Sequence, residues 1–289
     1  VYKRQVSVTG SISPVKPTDE PDARADGENR AMTETTFKQR LLAGERLVTF
    51  AVSRMFHPNV VRYLGMSGDF DGFWIDVEHA GLTVHDIEQA VTAGKAYGLE
   101  AFVRIPPTSY ATVTQCFESG AMGVMAAQIQ SADHAEEFVS WSKFSPRGRR
   151  GLNPLGVDGR FGSIPLADFA AAANEQTMVA VQIETVGAVD EVDAIAAIDG
   201  VDMLFVGPSD LGQALGVTGD LMHPRCLEAI DDVAAACRTH GKAWGAVTPS
   251  PEYASLLIKK GCTVITPTND VKLMTAGLGA VKERFGALW

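Results

Sequence analysis

The chain has 289 residues, 46% hydrophobic and 21% charged, a balance that supports a large buried core and fits a single α/β barrel. Its formal net charge is −10, and the only dense basic stretch, SPRGRR at Ser145–Arg150, forms no stripe, which argues against nucleic-acid binding. No apolar run approaches the roughly 20 residues that span a bilayer, so a helical membrane protein is set aside as well.

Val1–Ala31 is rich in Ser, Pro, Thr, Asp and Gly, has no hydrophobic period and lacks the apolar core of a signal peptide. It reads as a disordered or non-native leader. Its opening, Val1-Tyr2-Lys3-Arg4-Gln5, looks like translated sequencing adapter, and Met32 is the expected start of a barrel domain running over 32–289. An extra helix is expected just after Met32, ahead of the first strand.

Eight short β-rich runs follow: Leu47–Val52, Gly72–Val77, Glu100–Arg104, Met122–Ala126, Met178–Ile183, Met203–Val206, Ala243–Val247 and Thr263–Thr266. Most are apolar throughout, as strands buried on both faces should be. Helical stretches lie between them. One has Thr83 as its N-cap and Gly98 as its stop; others are Tyr110–Ser119 before Gly120, a helix opening at Ser131, Pro224–His240 before Gly241, and Pro251–Lys260 before Gly261. Eight βα units in one run predict a closed (β/α)8 TIM barrel. The absence of Gly-x-Gly-x-x-Gly after the first strand weighs against a dinucleotide-binding sheet. Cys116, Cys226, Cys237 and Cys262 sit in apolar segments without Cys-x-x-Cys spacing, which predicts four buried, reduced thiols in a cytoplasmic protein.

In such a barrel the chemistry sits where the strands end. The second strand runs into Asp76-Val77-Glu78-His79, the third into Arg104-Ile105-Pro106, the fourth toward Gln128, the fifth into Gln182-Ile183-Glu184, and the sixth into Gly207-Pro208-Ser209-Asp210. Glu184 and Asp210 close adjacent strands. Two bare carboxylates that close repel, and a divalent cation (Mg²⁺, Mn²⁺ or Co²⁺) relieves the repulsion with an all-oxygen shell. The alternative pairs Glu184 with a barrel arginine and makes Asp210 a helix cap. Arg104 can hold a developing enolate oxygen or form a structural ion pair inside the barrel. His79 is the candidate general base, its ring oriented by Asp76 or Glu78, or by Glu118 reaching from the following helix. His57, His85, His134, His223 and His240 are expected to be solvated or capping. The turn Gly207–Asp210 into a helix suits a substrate carboxylate. Gln182 and Val247 are expected in the pocket lining. A Schiff-base aldolase would need a lysine at a strand end, and Lys95, Lys143, Lys242, Lys259 and Lys260 fall in helices or at strand starts.

FWIDVEHA (Phe73–Ala80), VRIP (Val103–Pro106), FESGAMGVM (Phe117–Met125), SPRGRRG (Ser145–Gly151), VQIET (Val181–Thr185), GVDMLFVGPSDL (Gly200–Leu211), HP (His223–Pro224) and HGK (His240–Lys242) together resemble the HpcH/HpaI aldolases. These are the class II pyruvate aldolases acting on 2-oxo-3-deoxy sugar acids and on 4-hydroxy-2-oxo-heptanedioate. The likeness is collinear from Phe37 to the C-terminus. It implies a barrel of the phosphoenolpyruvate/pyruvate type that cleaves a 4-hydroxy-2-oxo acid to pyruvate and an aldehyde. It implies Glu184 and Asp210 as metal ligands, His79 as the base, Arg104 on the keto or enolate oxygen, and the amides of Ser209 and Asp210 on the pyruvate carboxylate. It also implies a homohexamer that exchanges C-terminal helices, with small 2-oxo acids as its ligands. Three segments depart from the family pattern: Glu118 stands where Asp is usual, Ala126-Ala127-Gln128 where a Val-Pro-Met-type rim is, and Thr266–Asp270 where a Gly-x-Asp loop is. Oxaloacetate decarboxylation, as in the similar macrophomate synthase, is the alternative reaction. A non-catalytic barrel that binds 2-oxo acids is the alternative of another class.

Overall fold

A computed structural model describes residues 35–288; the leader read at Val1–Ala31 and the start read at Met32 lie outside the described residues. Eight parallel strands close into a barrel in chain order: β1 (Leu47–Val52), β2 (Gly72–Asp76), β3 (Glu100–Ile105), β4 (Gly123–Ala126), β5 (Met178–Ile183), β6 (Met203–Val206), β7 (Ala243–Val247) and β8 (Val264–Asn269). Four match the expected bounds. β2 stops one residue early at Asp76, although the Val77 N–H still donates to the Arg104 carbonyl at 2.9 Å before the chain bends at Glu78. β4 loses Met122 at its start, β3 gains Ile105, and β8 runs from Val264 to Asn269 rather than over 263–266.

The helices are α1 (Phe37–Leu42), α2 (Pro58–Ser67), α3 (Val84–Lys95), α4 (Tyr110–Glu118), α5 (Ala132–Ser142), α6 (Leu166–Gln176), α7 (Val186–Asp190), α8 (Val192–Ala197), α9 (Pro208–Ala214), α10 (Pro224–His240), α11 (Pro251–Lys259) and α12 (Asp270–Phe285). Their boundaries have local causes. Thr83 and Asp86 form a reciprocal capping box at the start of α3. Gly241, at a φ of +63°, closes α10 in the left-handed conformation that glycine adopts without strain. His57 and His223 each cap a helix through a ring nitrogen, and His240 pairs with Asp193 at 2.9 Å. These imidazoles therefore have structural work, as the sequence suggested. No described helix is long and apolar enough to cross a membrane.

Side-chain alternation sorts the strands into two cores. Phe50, Phe73, Ile75, Val103, Val181 and Leu204 point outward and pack under the helices. Leu47, Trp74, Phe102, Met125, Met178, Met203, Phe205 and Val264 fill the barrel. The added helix α1 contributes Phe37 and Leu41 to this inner core, with the Phe37 ring 6.1 Å from that of Phe102. α1 thereby covers the end of the barrel at which the strands begin. The other end is left for chemistry. All four cysteines are free and buried; burial pushes Cys116, Cys237 and Cys262 up to about 12, so these thiols do not serve as nucleophiles.

Candidate active site

The period of two that fills the barrel also loads its open end. Ala51, Trp74, Asp76, Arg104, Gln182, Val247 and Thr266 share the inward parity, and all line one cavity of about 270 Å³ at the C-terminal rim, a volume suited to a small organic acid. His79, Gly207, Pro208, Ser209 and Asp210 complete much of its wall. The expected residues line this cavity except Glu184, which is buried beside Gln182 and Gly207, and Glu118.

Asp76 and Arg104 are register partners on β2 and β3. Arg104 donates through Nε to Asp76 Oδ1 at 3.1 Å and through Nη2 to Asp76 Oδ2 at 2.7 Å, a two-point pairing that fixes the plane of the guanidinium. Its Cζ lies 4.9 Å from the Trp74 ring centroid. Both earlier readings of Arg104 therefore meet in one side chain: it is ion-paired inside the barrel, and it faces the cavity. Asp76 Oδ1 also accepts from the backbone N–H groups of Glu78 and His79, each at 3.1 Å, so one carboxylate sets both the arginine and the turn bearing the histidine. Glu78 Oε2 lies 3.6 Å from His79 Nε2 and 3.4 Å from Arg104 Nη1. Burial raises the Glu78 pKa against the opposing pull of Arg104 and His79. The His79 ring is 57% exposed and so open to solvent protons.

Glu118 lies apart from the site. α4 descends from the rim, and its last residue, Glu118, lies toward the other end of the barrel, where Oε1 accepts from Asn153 Nδ2 at 3.2 Å. Within one chain Glu118 does not reach His79. Glu78, next to the histidine in sequence, occupies that position instead.

Glu184 is 1% exposed. Its Oε1 accepts from the Gln128 backbone N–H at 2.8 Å and from Gln128 Nε2 at 3.2 Å, so Gln128 rather than an arginine is its partner. Gln128 adopts a φ of +53°, a conformation unusual for a residue with a side chain, and in it the backbone and side-chain donors meet the same oxygen. The other oxygen, Oε2, is buried without a hydrogen-bond partner, as is Gln182 Oε1. Burial drives the Glu184 pKa up to about 7; the Gln128 amide opposes this, while Glu78 and Asp210 add to it. A Cβ at Gly207 would overlap Glu184 Oε2, so the sixth strand's exit needs glycine to leave room beside that oxygen. Asp210 stands in the first turn of α9 and makes no capping bond there. A buried, unpartnered carboxylate oxygen with a second carboxylate near enough to raise its pKa forms an oxygen donor set that fits a hard divalent cation. Among the described residues no group of three His, Cys, Asp or Glu side chains is arranged to hold a metal ion by itself, so water and substrate oxygens would have to complete the shell.

Among the lining residues Trp74, Ser53 and Lys272 gave no sequence signal, whereas Thr266, Thr268 and Asn269 fall in the segment that departs from the family pattern. Ser53 follows β1, Thr268 and Asn269 end β8, and Lys272 is in the first turn of α12; only the three-dimensional closure of the barrel brings these segments together. Lys272 was also absent from the lysines weighed for Schiff-base chemistry; it enters from the first turn of α12 rather than from a strand end.

The HpcH/HpaI aldolase/citrate lyase family model matches residues 46–276. The 5-keto-4-deoxy-D-glucarate aldolase of Salmonella arizonae is 30% identical over 257 residues, covering 89% of this chain and 99% of that protein. The crystal structure of an HpcH/HpaI aldolase from Desulfitobacterium hafniense DCB-2 superposes with a TM-score of 0.81 at 31% identity, covering 87% of this chain and 97% of the other. An HpcH/HpaI aldolase/citrate lyase family protein from Burkholderia cenocepacia J2315 gives a TM-score of 0.79 at 34% identity, covering 85% and 97%. With barrel, rim and relatives in agreement, the chain belongs to the HpcH/HpaI aldolase/citrate lyase family and is a carbon–carbon lyase.

Proposed function

We propose that the chain is a class II pyruvate aldolase that cleaves a 4-hydroxy-2-oxo acid of the sugar-acid kind to pyruvate and an aldehyde, reversibly, with Glu184 and Asp210 as the metal ligands. The observation that carries this is the unpartnered, buried Oε2 of Glu184 beside Gly207 at the C-terminal rim. Burying such an oxygen without compensation is costly, and a cation supplies the compensation. When bound, Mg²⁺, Mn²⁺ or Co²⁺ supplies Lewis acidity toward the oxygens of the 2-oxo acid.

The protein's own groups do the rest. Arg104, held by Asp76, presents fixed positive charge where the 2-oxo oxygen gains electron density as the C3–C4 bond breaks. His79 accepts the proton of the 4-hydroxyl through water, so that C4 leaves as an aldehyde carbonyl. The released electron pair becomes the C2–C3 double bond of the enolate, and protonation at C3 completes pyruvate. Gln182 lines the same cavity, and the Ser209 and Asp210 amides at the start of α9 meet the substrate carboxylate. Glu118 has no part in this chemistry within a single chain. The four buried thiols support a cytoplasmic setting. The exposed apolar side chains of α12 support a homo-oligomer, with the hexamer of the family as the expected form.

Pyruvate release from a 4-hydroxy-2-oxo acid, followed with and without EDTA, tests the proposal. Activity is expected to vanish with EDTA and to return with Mg²⁺, Mn²⁺ or Co²⁺. Cleavage that EDTA leaves untouched removes the metal from the mechanism. Pyruvate or oxalate binding without turnover of any such substrate would favour a non-catalytic sensor.

A further inference from the structure

The cavity has two ends with different electrostatics. At one end, Arg104 is paired with Asp76 and committed to the 2-oxo acid. At the other, the segment after β1 contributes Ser53, the end of β8 Thr268 and Asn269, and the first turn of α12 Lys272. Lys272 is anchored there: its backbone N–H donates to Asn269 Oδ1 at 2.8 Å, in the first turn of α12. No described carboxylate pairs with its ammonium group.

The acid nearest to it in sequence is fully committed elsewhere. Asp270 Oδ2 accepts from the backbone N–H groups of Ser53 and Met55 at 2.8 and 2.9 Å. Its Oδ1 accepts from Ser53 Oγ at 2.6 Å and from the Val271 N–H at 2.8 Å. This buried clamp ties these segments into one wall and leaves Lys272 as a cation at the cavity edge without a local counter-charge. Arg54, between the two clamped residues, is exposed and adds positive charge to the segment after β1. In a chain of net charge −10, this places two exposed cations at the solvent-facing mouth of the cavity.

We propose that Lys272 is a specificity-determining residue that receives a carboxylate on the aldehyde half of the substrate. The proposal rests on the pyruvate-aldolase reading. With the 2-oxo acid held between Glu184, Asp210 and Arg104, the far end of a bound substrate points at the wall that Lys272 lines. A negative charge there is matched, and a neutral terminus leaves the ammonium group uncompensated. Such a contact selects between partners rather than driving the bond cleavage.

The test is a preference ratio. Aldol addition of pyruvate is measured with Mg²⁺, using succinic semialdehyde and butanal as acceptors of similar length. The wild type is expected to prefer the anionic acceptor in kcat/KM. Lys272→Met should lower that preference at least tenfold, and Lys272→Arg, which keeps the charge, should retain most of it. An unchanged ratio in Lys272→Met overturns the proposal. A parallel calorimetric measurement compares binding of 2-oxoglutarate with that of 2-oxopentanoate. If neither aldehyde is turned over, the aldolase reading fails and this binding ratio decides the role of Lys272 by itself: tighter binding of the dianion, lost in Lys272→Met, supports it, and equal binding in wild type and variant refutes it.

Discussion

A carboxylate buried with one oxygen unbonded destabilises the protein that contains it, and the sign of its pH dependence follows from that cost. Glu184 rises from the ordinary 4.5 to about 7 because burial disfavours its charge. Between those values it is protonated in the folded chain and ionised in the unfolded one, so unfolding releases a proton. Metal-free stability therefore falls as pH climbs through that window and levels off above 7. At about 1.4 kcal/mol per unit, the total effect is on the order of 3 kcal/mol. Glu184→Gln removes the ionisation. Under EDTA the variant should match the wild type near pH 4 and exceed its stability at pH 8, as read from urea denaturation. Parallel pH profiles for the two proteins would show that Glu184 is not the titrating group. His79 lends itself to a different comparison. Aldol cleavage requires a base for the 4-hydroxyl proton, and oxaloacetate decarboxylation does not. His79→Ala should reduce cleavage by about 10²–10⁴-fold while sparing decarboxylation to within about tenfold. Equal losses in both reactions would mean that the imidazole positions substrate instead of moving a proton.

Strands bring these residues together, and strands are what a sequence announces most clearly. A run such as MVAVQIE has its parity written in it: once Met178 and Ala180 are placed inside the barrel, Gln182 must point to the cavity, and Glu184 continues the same side at the strand's exit. Asp76, Arg104 and Val247 follow by the same rule. Loops obey no such period. Ser53 and Lys272 lie more than two hundred residues apart and become neighbours only because β8 closes on β1 and Asp270 ties the ends of those strands together. Glu118 rests on the family pattern rather than on parity, and the direction of α4 carries it away from His79 within one chain. The helix before the first strand was legible, and its energetic role can be measured. Phe37 is 2% exposed and completes the inner core at the end where the strands begin. Phe37→Ala should cost about 3 kcal/mol, the usual range for emptying such a site, detected as a lower denaturation midpoint at unchanged slope. A change below about 1 kcal/mol would mean that α1 is a loose flap rather than a plug.

The last helix conflicts with a solitary chain. α12 spans sixteen residues, and Asp270 is the only one of them that is buried. Met274, Leu278, Val281 and Phe285 recur at intervals of four, three and four, a spacing that lines one helical face, and they are 50%, 63%, 47% and 41% exposed. In an ordinary barrel the helix after the eighth strand would bury that face on the strands beneath it. Here the apolar stripe of α12 is left uncovered, and a contiguous exposed stripe of this kind supports the proposed association between copies. The strand-to-helix junction is rigid, since Asn269 caps the helix and Asp270 clamps it to the β1 loop, so the stripe is presented in a fixed direction and suits a repeated, symmetric contact between copies. Two consequences can be checked by sedimentation velocity. The wild type should sediment as an oligomer at micromolar concentration. Leu278→Asp, which places a charge in the middle of the stripe without touching the barrel core, should shift the population to smaller species at least tenfold in apparent dissociation constant while the far-UV circular dichroism stays the same. A wild type that sediments as a monomer would refute both the association and the role given to α12.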